Sequence, residues 1–600
     1  MCGIVGYIGK ENCIPKIINA LEALEYRGYD SAGIAYFKQK EIEIIKERGK
    51  IANLKSQLNL DIPTYLGIGH TRWATHGIAN KINAHPHQQG NITLVHNGII
   101  ENYIELKKDL INKGYTFQSE TDTEVAAALL DYLYGENKDI IKSMNQAGKL
   151  IRGSYAFGIL LKDDPNTLYA TRKDSPLIIA LAKDGNFIAS DVPAILKFTN
   201  KYILMDNYEI AKISANSISI FDQNLNIVKK EVQTFNQTYD AATKNGYDHF
   251  MLKEINEQDE VFKNTINAYY DGTKESLEKN FGFIKNFQSI DIVACGSAYH
   301  AGLIGKYLLE TYANLPVNVE VASEYRYKKN FYNSNTLLIV VSQSGETADT
   351  LAALRKAKED GIKTLAIINV IGSSIAREAD YVIYTKAGFE IAVATTKAYL
   401  AQIALFSLIT FYLGTIKNIL SLEEIKQIQN EITIIPNLIK ENIQNECYLE
   451  IANALTKASQ IFFIGRLVDY ALCLEGSLKL KEISYINSVA YQAGELKHGT
   501  ISLIEKNTPV IAINTDTTTY EKTISNIKEV TARGAKVTII SNQKPKELFY
   551  NNLVLIPKTH AILQPILTVI PLQLIAYFVA KNKNCDIDKP RNLAKSVTVE

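Results

Sequence analysis

TLLIVVSQSGETADTLAALRKAKEDG, residues 336–361, reads as strand, turn and helix in one short run. Its opening residues are apolar without alternation, the pattern of a strand covered on both faces. The polar SQSGET turn then opens a helix. TLAIINV (364–370) follows as another strand. Upstream, SIDIVACGSAYHAGLIGKYLLETY (289–312) repeats the strand, turn and helix order. Apolar strands between long helices predict an α/β domain with a doubly wound parallel sheet.

The pattern recurs. QIFFIGRLVDYALCLEGSLKLKEIS (460–484) is similar to the 289–312 unit. TPVIAINTDTTTYEKTISNIKEVTARGAKVTIIS (508–541) is similar to the 336–361 unit and its following strand. Residues from 281 onward therefore read as two diverged copies of one domain. The second copy has NTDTTT where the first has SQSGET.

Toward the N-terminus the texture changes. Short β-like runs such as TLVHNGII (93–100), GSYAFGILL (153–161), TLYATR (167–172) and NFIASD (186–191) sit among helical stretches. The helical ones include NYIELKKDLINKGY (102–115) and DTEVAAALLDYLYG (122–135). This predicts layers of helix and sheet rather than a βαβ series. The expected divisions are a first domain over 2–235, a polar linker over 236–246 and a helical lead-in over 247–280. The two α/β copies follow over 281–421 and 450–590, with a tail over 591–600.

Composition bounds the class. Of 600 residues, 46% are hydrophobic and 22% charged, the mix of a folded globular chain. A net charge of +1 gives no bulk attraction for nucleic acid or an anionic membrane. Six dispersed cysteines with no CxxC pair are no disulfide framework, and a reducing, cytoplasmic setting is expected. The N-terminus lacks the basic region of a signal peptide. Two charge-free stretches, 398–416 and 561–580, are long enough to span a bilayer. Each carries polar residues, and the second also Pro565 and Pro571, so both are expected to be helices buried inside the α/β domains.

The chain begins MCGIVGYIGK. Removal of Met1 would leave Cys2 with a thiol and a free α-amine on one carbon. With a pKa near 7.7, about one such amine in six is neutral at pH 7, so it can act as base for its own side chain. Acyl transfer from an amide also needs oxyanion donors, which Asn97 and Gly98 can supply. Arg72 suits an α-carboxylate and Asp122 an α-ammonium. Five of nine histidines lie between 70 and 96. Their spacings match no standard zinc pattern, so no metal is expected, and some should satisfy core hydrogen bonds.

In the second half, the hydroxyls of Ser342, Ser344 and Thr347 at a helix N-terminus can converge on a phosphate. The nucleotide P-loop pattern GxxxxGK[ST] is absent. Lys479 and Glu482, three apart, share a helical face. His498 lies in the loop GELKHGT (494–500).

MCGIVGYIG, YRGYDSAG (26–33), TRWATHG (71–77), HNGIIEN (96–102) and SETDTE (119–124) together resemble the N-terminal-cysteine glutaminase domain of class II glutamine amidotransferases. That domain is a layered αββα fold of the N-terminal-nucleophile type. The resemblance implies Cys2 as nucleophile and Asn97 and Gly98 as oxyanion hole. It assigns Arg72, Thr75, His76, Gly98 and Asp122 to glutamine, and Trp73, the sole tryptophan, to gating an ammonia tunnel.

The 281–600 region resembles the duplicated sugar-isomerase domains of the isomerising glutamine–fructose-6-phosphate aminotransferase family, through to the tail KPRNLAKSVTVE (589–600). The implied reaction turns fructose 6-phosphate and glutamine into glucosamine 6-phosphate and glutamate, the first step toward UDP-N-acetylglucosamine. Ser342, Gln343, Ser344 and Thr347 would hold the phosphate, and Ser297, Val393 and Thr395 the sugar. Glu482 would move the proton between C1 and C2, aided by Lys479. His498 would assist ring opening from a neighbouring subunit, which implies a homodimer. Lys595 would meet the open-chain carbonyl, by positioning or by an imine. No cofactor is implied. CGSAYH, ATTK and HGT stand where the family usually has CGTSYH, ASTK and HGP, and these departures touch sugar affinity rather than proton transfer.

Two other readings fit less well. A phosphoribosyl-pyrophosphate amidotransferase would carry an acidic diphosphate-sugar motif where SQSGET stands. A sugar-phosphate sensor would carry a DNA-binding region in place of a glutaminase, and the near-neutral charge gives that no support.

Overall fold

The computed structural model describes residues 2–74, 76–235, 243–333 and 335–598. Thr75 and most of the expected linker (236–242) lie outside the described residues. The chain forms two compact units, Met1–Thr243 with Ala594–Glu600, and Lys244–Leu593.

The N-terminal unit stacks an eight-stranded sheet on a seven-stranded one. Gly3–Gly9 lies inside the first sheet, antiparallel to both Leu66–Arg72 and Gly185–Ala189. Ile92–Ile100 lies in the second, paired along its whole length with Gly153–Leu161. Ile4, Ile8, Ile68, Val95, Leu160, Leu168 and Ile188 fill the space between the sheets. Glycine permits the close approach. A Cβ on Gly6 or on Gly158 would stand 2.7 Å from an Ile188 side-chain carbon. Cys13–Glu22, capped by Asn12, covers the outer face of the first sheet. Asp122–Asn137 and Ile140–Leu150 cover the second. The result is the expected αββα layering.

The second unit opens with helices Phe250–Asn256, Gln258–Asn267 and Lys274–Phe281. It then builds two five-stranded parallel sheets of identical order. In the first, Ser289–Ala294 sits between Val317–Val321 and Thr336–Ser342, followed by Lys363–Ile368 and Tyr381–Tyr384. In the second, Gln460–Gly465 sits between Asn487–Gln492 and Pro509–Asn514, followed by Lys536–Ser541 and Asn552–Leu555. In such sheets the ligand crevice lies beyond the strand C-termini, where the chain order reverses. Here that is between the ends of Ser289–Ala294 and Thr336–Ser342.

Lys397–Ile416 and Gln564–Asn582 are long and apolar enough to cross a membrane, yet 89% of each apolar window is buried. They are core helices, apolar on every face because protein surrounds them. Gly305 seats the Phe406 ring, and a Cβ there would stand 2.6 Å from it. Helices Gly296–Ala313 and Val468–Ser484 also pack together, which brings one helix of each copy to a common site.

Candidate functional site

In the N-terminal unit, Cys2 precedes the strand Gly3–Gly9 and Trp73 follows the strand Leu66–Arg72. The antiparallel register, Gly3 opposite Thr71, brings the two together. The Trp73 N–H donates to Cys2 Sγ at 3.2 Å. Burial pushes the Cys2 thiol above its ordinary range, against the opposing pull of that N–H and of the Arg72 charge. Gly28 lets the 26–33 loop close over this pair, since a Cβ there would lie 2.8 Å from Trp73 N. The Trp73 ring meets Tyr29 edge-on at 5.7 Å.

Asn97 is oriented from both ends. His70 Nε2 lies 2.9 Å from the His96 carbonyl and 3.1 Å from Asn97 Oδ1. A carbonyl only accepts, so Nε2 carries the proton and the Asn97 amide oxygen faces it. The amide nitrogen then faces Cys2 and donates to its carbonyl at 3.0 Å. Gly98 has φ +128, and a Cβ there would lie 2.1 Å from the Ser154 carbonyl oxygen. Only glycine fits that position.

Arg72 is 3% exposed. Its guanidinium donates to the carbonyls of His76, Gly77 (3.1 Å) and Ile78 (3.3 Å). His76 packs edge-on against Tyr103 at 5.2 Å. Asp122 begins the helix Asp122–Asn137, where the dipole favours a carboxylate, and it accepts the Ile100 N–H at 2.9 Å.

Four of the five clustered histidines are core groups. His70 stacks on His85 at 4.1 Å, and His85 meets His87 at 5.1 Å. His85 and His96 both lie 3.1 Å from Thr123 Oγ1, and His87 lies 3.2 Å from Thr121 Oγ1. Burial drives all four below the ordinary histidine range, His70 to about 3. The sign follows directly. Below pH 6.5 the unfolded chain binds protons that these rings refuse, so stability falls with pH, by up to about 1.4 kcal/mol per ring per pH unit. We expect the urea midpoint reported by Trp73 fluorescence to drop steeply between pH 6.5 and 5. An unchanged midpoint would mean that the rings accept protons in the fold.

In the second unit the SQSGET turn closes on itself through hydroxyls. Ser342 Oγ accepts the Gly345 N–H and lies 3.0 Å from Thr347 Oγ1. Ser344 Oγ accepts the Glu346 N–H at 3.2 Å. Gly345 has φ +64, and Ser373 Oγ lies 2.0 Å from where a Cβ would be. The Gln343 carbonyl accepts the Asn369 N–H at 3.2 Å. Thr347 is the N-cap of Ala348–Glu359, with no side-chain cap bond. The turn therefore presents neutral hydroxyls and a helix N-terminus, the chemistry of an anion cradle.

Lys479 and Glu482 form an ion pair of 2.7 Å, and Lys479 lies 3.5 Å from Glu475. Glu475 is fully buried. It accepts from Ser297 Oγ and His300 Nδ1, both at 2.8 Å. Burial opposes the Lys479 ammonium, but Glu482 and Glu475 outweigh it and hold the amine above the usual lysine range. Burial likewise opposes the Glu475 carboxylate, and Lys479, His300 and Ser297 outweigh it and hold the group low. The pair is thus no idle surface bridge. Thr395 Oγ1 donates to Glu390 at 2.5 Å, and Val393 N–H to the Asp588 carbonyl at 3.0 Å.

Ser297 and Lys479 meet at Glu475, and Lys479 in turn holds Glu482. His498 is exposed, and among the described residues no hydrogen bond or ion pair joins it to Lys479 or Glu482. Lys595 falls in the segment grouped with the N-terminal unit. Sequence reading missed His70, Glu475 and His300. Glu475 was within reach, since it lies one helical turn before Lys479.

Comparison with known proteins agrees with both halves. A glutamine amidotransferase domain model matches residues 70–197, and an SIS domain model matches residues 283–411 and 454–581. The chain is 48% identical to the glutamine–fructose-6-phosphate aminotransferase (isomerising) of Clostridium tetani, and 45% identical to that of Methanosarcina acetivorans, over 100% of each chain. It is similar to the solved C-terminal domain of glucosamine-fructose-6-phosphate aminotransferase from Francisella tularensis. That likeness has 39% identity and TM-score 0.55, and covers 58% of this chain and 100% of that one. With a glutaminase-type site in one unit and, in the other, an acid–base pair of a buried lysine and a part-exposed glutamate on a helix of the duplicated sugar-isomerase folds, the chain belongs to the isomerising glutamine–fructose-6-phosphate aminotransferase family.

Proposed function

We infer that this chain transfers the amide nitrogen of glutamine to fructose 6-phosphate, giving glucosamine 6-phosphate and glutamate. The observation that carries the reading is the Lys479–Glu482 pair beside Glu475, which supplies acid–base chemistry that a glutaminase alone would not need.

After Met1 is removed, the Cys2 thiol proton passes to the α-amine and Sγ adds to the glutamine carboxamide. One Asn97 Nδ2 hydrogen is spent on the Cys2 carbonyl, and the other, with the Gly98 N–H, faces the developing oxyanion. Ammonia leaves, and water releases glutamate from the thioester. Arg72 exchanges its loop carbonyls for the substrate carboxylate, and Asp122 takes the ammonium; the resemblance assigns Thr75 and His76 to glutamine as well. Trp73 gates the passage of ammonia.

Ser342, Gln343, Ser344 and Thr347 hold the sugar phosphate, and Ser297, Val393 and Thr395 border the sugar. Ammonia adds to the C2 carbonyl of the open chain, and water leaves. Glu482 takes the C1 proton and returns it to C2, while Lys479 steadies the charge. Lys595 meets the carbonyl end. His498 opens the ring from a neighbouring copy in a homodimer. The setting is cytoplasmic.

The test is direct. Purified protein with a processed N-terminus, given glutamine and fructose 6-phosphate, should yield glucosamine 6-phosphate and glutamate in equal amounts. Glutamate alone would reduce the chain to a glutaminase.

A further inference from the structure

The second α/β copy has the same crevice as the first, between the ends of Gln460–Gly465 and Pro509–Asn514. There it is filled from within. Asp469, the second residue of the helix Val468–Ser484, is fully buried. Its Oδ2 accepts the N–H groups of Thr515 (2.7 Å) and Asp516 (3.0 Å), and its Oδ1 accepts the Thr515 hydroxyl at 2.5 Å. Backbone N–H groups and a hydroxyl converging on one anion make a phosphate-type cradle. Asp516 closes the rest of the loop, accepting the N–H groups of Thr518 and Thr519, each at 2.9 Å. In the first copy the second helical residue is Ser297, and the turn holds itself with neutral hydroxyls.

We propose that Asp469 is an internal anion seated in the anion cradle of the second copy, where it acts as a positioning residue for the helix that carries Glu475, Lys479 and Glu482. The proposal rests on the assignment of sugar chemistry to that helix. The duplicated crevice is thereby closed to sugar phosphate, and only the Ser342 turn remains for it. The clamp also holds a difficult entry. Leu467 stands at φ 50, ψ −122, outside the comfortable regions for a side chain of its kind. Gly465 must pass the Asp469 backbone, and a Cβ there would lie 2.7 Å from its carbonyl. A free carboxylate is retained at neutral pH, since burial raises the Asp469 carboxyl only to about 6 against three donors.

The test uses the full-length enzyme carrying Asp469→Ala. The kcat for glucosamine 6-phosphate should fall about tenfold or more through misplacement of the acid–base groups. The KM for fructose 6-phosphate and the sugar-free glutaminase rate should hold. Sodium formate, a carboxylate small enough for the vacated space, should restore kcat, whereas chloride at equal ionic strength should not. Asp469→Asn keeps the shape and one acceptor, and should be intermediate and insensitive to formate. Wild-type kcat in either variant would overturn the proposal. So would a folded Asp469→Ala protein whose lost kcat formate does not move. Should that variant fail to fold, Asp469→Asn decides alone, by a fall in kcat at constant KM. Full activity in Glu482→Gln would instead overturn the reading of the helix as catalytic, whatever Asp469 does.

Discussion

A Cys2→Ala protein should lose glutamine-dependent glucosamine 6-phosphate formation by a factor on the order of 10⁴ or more, the scale seen when a covalent nucleophile is removed. The sugar half should be spared, because Ser342–Thr347 and Glu475–Glu482 lie in the other compact unit. Isomerisation of fructose 6-phosphate and binding of its phosphate should continue at the wild-type level. The fold should tolerate the change. Cys2 has one backbone N–H donor on its sulfur, from Trp73, and the carbonyl that Asn97 contacts belongs to the main chain, which the substitution leaves in place. Glutamine use at the normal rate would show that Sγ is not the nucleophile.

The same argument makes the free N-terminus part of the site. A retained Met1 or an N-terminal tag turns the α-amine into an amide, which cannot take the thiol proton. Such a protein should behave like Cys2→Ala in glutamine use. The pH profile separates the two groups. Burial raises the thiol pKa, which disfavours direct ionisation of the thiol and favours the proposed amine as its base. The amine must be neutral to act. Glutaminase kcat/KM should therefore rise about tenfold per pH unit on its acid limb and level off near the amine pKa of about 7.7–8. A plateau reached only above that range would make thiol ionisation the limiting event instead.

Local patterns carried most of this in the sequence. Cys2, Arg72, Asn97, Gly98 and Asp122 are legible because each residue type has a stated task in amide chemistry, and because they occur in short ordered motifs. The two isomerase-type sheets are legible because apolar strands recur between helices with the same spacing. Contacts across long separations were not legible. Ser297 and Glu475 are 178 residues apart, and no periodicity links them. His70 looked like one member of a histidine cluster, and its hold on Asn97 follows only from the stacking of two separate sheets, one carrying Leu66–Arg72 and the other Ile92–Ile100. Asp469 was a single acid in RLVDYALC, with nothing local to mark it as buried. The apolar stretches 398–416 and 561–580 show the opposite case. Composition permitted a membrane span, and only their place inside the sheets and helices of one core explains why they are apolar all round.

Glu482→Gln should lower kcat for glucosamine 6-phosphate by a factor of about 10²–10⁴, the range lost when a positioned acid–base group is removed. The amide is nearly isosteric and can still meet Lys479, so the helix Val468–Ser484 should keep its place. It cannot accept the C1 proton. Lys479 would remain beside the buried Glu475, 3.5 Å away, and so would not be left as an uncompensated buried charge. The KM for fructose 6-phosphate should change little, since the phosphate contacts proposed above come from the Ser342–Thr347 turn. Sugar-free glutaminase should not change. Glu482→Asp restores the carboxylate one methylene short and should recover part of the rate. Synthesis at the wild-type rate in Glu482→Gln would remove the residue from proton transfer. A large rise in KM with kcat retained would make it a binding group instead.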